Sequence, residues 1–168
     1  MTRGSPEPIL AIVGAAASPS QDLGTLSPAA LMAEASSLAI TASGIEKSEI
    51  DGLFSASAYY YLPTMTLGDH LNISPTYSDS SNIGGCSFIA HLGHAAAAIE
   101  AGYCNYGLIS YASTQKTDGN RRVKSMSESL AYEDPYGVLW PLTGYAMMAQ
   151  RHMHSFGTTS EQLAEVAV

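Results

Sequence analysis

Charge is scarce in this sequence, and positive charge is scarcer still. Asp and Glu number 15 against 7 Lys and Arg, giving a net charge of -8 and a charged fraction of 13%. Nucleic acid and anionic membranes are bound through a positive footprint, so both are excluded as general partners. Four of the seven cations, Lys116, Arg121, Arg122 and Lys124, nevertheless fall in one short stretch. Cysteine occurs only at positions 86 and 104. If one straight helix separates the two, they lie roughly 25 Å apart at about 1.5 Å per residue, too far for a disulfide. Reduced thiols and a cytoplasmic location are therefore expected. No apolar run is long enough to span a bilayer as a helix. The start, Arg3 followed by Ile9 to Ala17, imitates a secretory leader, but Glu7 and Pro8 interrupt it and the run reads better as a first buried strand. With 46% hydrophobic residues and so little charge, part of the surface should be covered by another subunit. The length of 168 residues fits a single domain.

What is present is organised around Asn82-Ile83-Gly84-Gly85-Cys86-Ser87-Phe88, where a strand from Pro75 to Ile83 is expected to run through a Gly-Gly turn into a helix ending at Gly102. Alanine at 90, 95, 96, 97, 98 and 101 favours that helix, and its small residues on all sides predict burial all round. A buried strand from Tyr103 to Tyr111 follows. Such a strand-turn-helix unit presents backbone N–H groups and a positive dipole end, which suit an oxyanion or a thiolate. Upstream, Pro8 to Ala16 reads as a strand. Ser27-Pro28 then opens an amphipathic helix with a stripe at Leu31, Ala35, Leu38, Ala39 and Ala42, closed by Gly44. Ile50 to Tyr61 contains a further strand and Thr64 to Leu71 a short helix. Gln115 to Glu133 reads as a long loop, part of an excursion reaching about residue 141, and Leu142 to Phe156 and Thr158 onward as helices. The alternation predicts a layered α/β fold with a mostly parallel sheet.

Asn82, the turn, Ser87 and Ala98-Ile99-Glu100-Ala101-Gly102 resemble the N-terminal half of the thiolase superfamily. Ile50-Asp51-Gly52-Leu53, Ala101-Gly102-Tyr103-Cys104 and the run from Tyr145 through Arg151-His152-Met153 to Gly157-Thr158-Thr159 narrow the resemblance. They point to sterol-carrier-type thiolases and to thiolase-like lipid-transfer proteins and aldolases. The resemblance covers nearly the whole chain and implies a thiolase-fold half, with a layered, mostly parallel mixed sheet around a buried central helix. It also implies an acetyl-CoA acetyltransferase-related protein acting on acyl-CoA thioesters. Matching Asn82, Ser87 and Ile99 to the family pattern places Gly85 where the nucleophilic cysteine belongs. Cys86 sits one residue late, a rotation of about 100° in a helix. It is either a nucleophile activated by the helix N-terminus or a small packing thiol. Thiolases carry their activating histidine in a second half that this sequence does not reach, so a second half or partner chain is expected, as is a homodimer. Without a covalent nucleophile, retro-aldol cleavage of a β-hydroxyacyl-CoA or plain acyl-CoA binding become the alternatives.

In this reading Asn82, Gly84 and Ser87 form the floor beneath the thioester. Tyr60, with Tyr59 and Tyr61, lines an acyl pocket or packs at a strand end. Arg121, Arg122 and Lys124 clamp coenzyme A phosphates or lie on a solvated loop. His91 and His94 have a metal-binding spacing, but no third ligand accompanies them in the sequence, so no metal is expected. His152 and His154 point to different sides of a helix and do not act jointly. No covalently bound cofactor is expected, coenzyme A entering only as the substrate thioester.

Overall fold

The computed structural model describes residues 10–19, 26–118, 134–138 and 142–167. The chain divides into two compact units, Met1–Lys124 and Ser125–Val168. In the first, helix α1 (Pro28–Ser43) precedes strand β1 (Gly52–Ser55), helix α2 (Pro63–Leu71), strand β2 (Tyr77–Asp79), helix α3 (Ser87–Glu100), strand β3 (Gly107–Ser110) and a short helix α4 (Gln115–Asp118). The second contains helices α5 (Leu142–Phe156) and α6 (Ser160–Ala164).

Strand β1 is the centre of the sheet. It pairs in parallel with β2, Gly52 opposite Tyr77, and with β3, Gly52 opposite Gly107, giving the order β2-β1-β3. Side chains alternate across a strand, so Leu53 and Phe54 enter opposite faces. Leu53 joins Met32 and Ile40 of α1, Leu67 and Leu71 of α2, and Leu108 of β3. Phe54 joins Ala95 and Ala98 of α3 and Cys104. Three layers result, with α1 and α2 on one side of the sheet and α3 on the other. All four residues of β1 are buried, as a strand covered on both faces requires.

Local chemistry sets several of the boundaries. Ser27 caps α1, its side chain accepting from Ala30 N at 3.1 Å, with proline at the first helical position. Gly44, at φ 72°, closes the helix in the left-handed conformation that glycine adopts without strain. The buried residues of α1 are Pro28, Ala29, Leu31, Met32, Ser36 and Ile40, so the expected stripe through Leu38 is rotated and Leu38 is exposed. Ser36 turns inward because its hydroxyl donates to Ser110 Oγ at 2.8 Å.

Three expectations need correction. Residues 10 to 16 form no strand and make no ladder with β1, β2 or β3. They approach α1 instead, closely enough that a Cβ at Gly14 would collide with the Ala39 carbonyl oxygen. Helix α3 is not buried all round: only Ser87, His91, Ala95 and Ala98 are buried, one stripe facing the sheet, while Ile89 is 72% exposed. Its small residues match a close approach on one side only. Finally, the strands are shorter than their apolar runs, since each ends where its partner's ladder ends.

Gly68 tests how tightly α2 closes on the chain that follows it. An added Cβ would meet the Ile73 carbonyl oxygen at 2.9 Å, and that backbone is held by the Ile73 N–H donating to the Gly68 carbonyl. Alanine gains about 1 kcal/mol of helix propensity but overpacks a site that cannot retreat, at about 1–3 kcal/mol. Gly68→Ala is expected to lower the urea midpoint, and an unchanged or higher midpoint would show that this corner yields.

Candidate active site

The junction of β2 and α3 is built by side chains that hold the backbone in a tight bend. After Asp79 the chain passes through Ser80 to Ile83 and a 3-10 turn at Gly84–Cys86 before entering α3 at Ser87. Asn82 Oδ1 accepts from Gly84 N at 3.1 Å, and its Nδ2 donates to the Ser57 carbonyl at 3.4 Å. Ser87, fully buried, accepts from Ile83 N at 2.9 Å and donates to the Gly84 carbonyl at 2.6 Å. Gly84 sits at φ 80°, where any other residue would be strained. Asn82 and Ser87 thus shape the turn from within, and the N–H groups of Ile83 and Gly84 are already taken.

Above the turn the surface is open. Gly84, Gly85 and Cys86 are exposed, and no atom stands within 4 Å of where a Cβ would begin at Gly84 or Gly85. The Cys86 thiol turns back to donate to the Ile83 carbonyl at 3.3 Å. The second cysteine, Cys104, is buried, and both thiols are free. Burial, and then the charge of Asp51, push the Cys104 thiol above its usual range.

The other candidates separate. Tyr60 accepts from Ala29 N at 3.0 Å through its hydroxyl, fastening the start of α1. The Tyr59 hydroxyl accepts from Thr114 N at 3.0 Å, and Tyr61 is fully exposed. Arg121, Arg122 and Lys124 lie outside the described residues, as does the side chain of Lys116. In the second unit His152 pairs with Thr158 at 2.9 Å, and its ring lies tilted against that of Phe156. An apolar groove of about 660 Å³ runs between residues 10–16, α1, α3 and β3, beginning beside Phe88; its lining does not include Gly84 to Ser87.

One constellation escaped the sequence reading. The histidine pair does have a third polar neighbour: His94 Nδ1 lies 2.5 Å from Asp79 Oδ2, and Asp79, His91 and His94 converge on one place. Burial tends to raise the Asp79 carboxyl, but hydrogen bonds from Ser81 and the nearby His94 outweigh it and hold the carboxyl below its ordinary value. No spacing rule could find Asp79, because only the packing of β2 on α3 brings it beside the histidines.

A parallel sheet feeding a glycine turn into a helix packed on that sheet is the α/β arrangement that the expected thiolase-like half requires. Over 169 aligned positions, 95% of this chain and 43% of the relative, the chain is 28% identical to the acetyl-CoA acetyltransferase of Methanothermobacter thermautotrophicus. Among solved structures it matches a chain of the Ltp2-ChsH2(DUF35) aldolase with a TM-score of 0.75 and 28% identity, covering 94% of this chain and 41% of that one. An OleA variant of Xanthomonas campestris overlaps 53% of this chain and 27% of its own, at a TM-score of 0.46 and 21% identity. No protein-family model matches. The chain is thiolase-like, resembling the aldolase branch of that superfamily, and spans less than half the length of the first two relatives. No helix among the described residues is long and apolar enough to cross a membrane.

Proposed function

We propose that this chain is a thiolase-like subunit that holds an acyl-CoA thioester over the Gly84–Ser87 turn and acts with a second thiolase half or a partner chain. The observation that carries this reading is the open bend itself. A left-handed Gly84 and an unobstructed Gly85 leave room for a ligand to approach backbone at the start of a 14-residue helix, where developing negative charge is favoured. Arg121, Arg122 and Lys124 are placed in the sequence to meet the phosphates of coenzyme A. Exposed Ile83 and Ile89 flank the turn and suit coverage by a second copy of the chain.

The reaction favoured is retro-aldol cleavage of a β-hydroxyacyl-CoA. Glycine at 85 offers no nucleophile, and Cys86 directs its thiol into the turn. In a retro-aldol step a base takes the β-hydroxyl proton, the bond between the α and β carbons breaks, and its electrons form the thioester enolate. The enolate then takes up a proton. A carbonyl compound and a shortened acyl-CoA leave, and no acyl-enzyme is formed. The base would come from the second half. The relative named as an aldolase, whose name joins Ltp2 to ChsH2(DUF35), supports both the reaction class and the need for a partner.

The test is to incubate the complete assembly with β-hydroxyacyl-CoA esters, and separately with β-ketoacyl-CoA esters plus free coenzyme A. A carbonyl product released from the hydroxy ester without consumption of coenzyme A is expected, with little turnover by the 168-residue chain alone. Chain shortening only in the presence of coenzyme A, or an acyl adduct on Cys86 seen by intact mass, would establish thiolysis instead. Binding without any turnover would leave a carrier.

A further inference from the structure

The cluster at the foot of β2 has the chemistry of a metal site. One donor atom each from Asp79, His91 and His94 lies within 4.8 Å of the others. His91 is completely buried, yet its Nδ1 has no hydrogen-bond partner. A buried polar atom left unmatched is costly, so the fold should not leave it idle. Its other nitrogen, Nε2, lies 3.0 Å from the Ser81 carbonyl oxygen, which can only accept. Nε2 therefore carries the proton and Nδ1 keeps a bare lone pair. This is how a ligating imidazole is usually held, with the far N–H donated to a carbonyl that fixes tautomer and ring orientation. Asp79 is braced in the same way, Oδ1 accepting from Ser81 N at 2.7 Å while Oδ2 faces His94.

We propose that Asp79, His91 and His94 bind a zinc ion, with its fourth position open to solvent on the side where His94 is exposed. Two imidazoles and one carboxylate suit zinc, whereas calcium and magnesium require oxygen donors throughout. A tetrahedral ion with bonds of about 2.1 Å needs donors roughly 3.4 Å apart, so the close His94–Asp79 pair opens and the wider separations close. The ligands lie on either side of the bend. Asp79 ends β2, and His91 and His94 lie on α3, so the ion staples together the segment that carries Gly84 and Gly85. Zinc thereby fixes the turn without taking part in its chemistry.

The test uses the full chain, stripped with a chelator and titrated with zinc against a chromophoric competitor. One zinc per chain at micromolar affinity or tighter is expected, with a higher melting temperature. Magnesium and calcium should produce no shift. His94→Asn alters a half-exposed side chain and should weaken zinc binding about 100-fold. Cobalt(II) in place of zinc should show tetrahedral absorption with no thiolate charge-transfer band, a readout that needs no variant. Substoichiometric binding, equal affinity in His94→Asn, an equal response to magnesium, or a thiolate band marking Cys86 as the ligand would each overturn the site.

Discussion

Phe54→Ala is expected to remove about 3–5 kcal/mol of stability. Among the described residues Phe54 is the largest fully buried side chain, set in the central strand and facing α3. Its ring stands 5.8 Å from that of Tyr77 on β2 and 6.1 Å from that of His91 on α3. It also explains Gly107 on β3, where a Cβ would meet the Phe54 ring at 3.0 Å. One side chain therefore keeps three elements at their spacing, and alanine would leave a cavity that neither ladder can close without losing register. Domains of ordinary stability hold about 5–15 kcal/mol in total, so the loss removes a large share of it and should bring the urea midpoint of the variant far below that of wild type. Phe54→Leu keeps most of the volume and should cost less than half as much. Urea unfolding followed by circular dichroism measures both. A Phe54→Ala loss below about 1 kcal/mol would mean that α3 does not close over the sheet as described.

The same ring shows where sequence reading succeeds and where it stops. The glycine turn, the Ser27 cap with Pro28, and the Gly44 stop were legible because each depends on residues within a few positions of one another. Four strands were expected from apolar runs alternating with helices; three form in parallel order, and the first, over residues 10 to 16, does not. What could not be read depends on neighbours distant in sequence. Alanines in α3 suggested burial on every side, yet among the described residues one stripe of the helix is buried, against the sheet, and Ile89 remains exposed. Tyr60 read as a pocket residue or as strand-end packing, and nothing in the sequence pointed to the backbone of Ala29, 31 positions earlier, which its hydroxyl meets. Asp79 carried no pattern at all until β2 was laid against α3.

Asp51 is the second residue whose removal should be felt throughout the sheet. In the sequence it was only part of a family phrase; in the fold it fastens both outer strands to the centre. Its carboxylate accepts from Asn105 N at 2.8 Å, Asn105 Nδ2 at 2.9 Å and Tyr106 N at 2.8 Å, where the chain enters β3. Its backbone carbonyl accepts from Thr76 N at 2.8 Å and Tyr77 N at 3.1 Å, where the chain enters β2. Asp51→Ala keeps the second set and loses the first. Hydrogen bonds to a charged group contribute about 1.5–3 kcal/mol each, but water can reach these exposed donors, so a net loss of about 2–3 kcal/mol is expected. Asp51→Asn should recover less than half, because its amide turns a donor toward the donors it must satisfy. The loss must also depend on pH. Burial tends to raise the Asp51 carboxyl, but the bonds from Tyr106 and Asn105 outweigh it and hold it below its ordinary value of 3.8. The unfolded chain thus binds the proton more readily. The contribution is complete above 3.8 and disappears as pH falls through the lower folded value. Urea midpoints of wild type and Asp51→Ala should differ widely at about pH 7 and converge on acidification toward about pH 2. A gap of equal size at both would mean that the carboxylate's charge does not hold the strands, leaving only its shape.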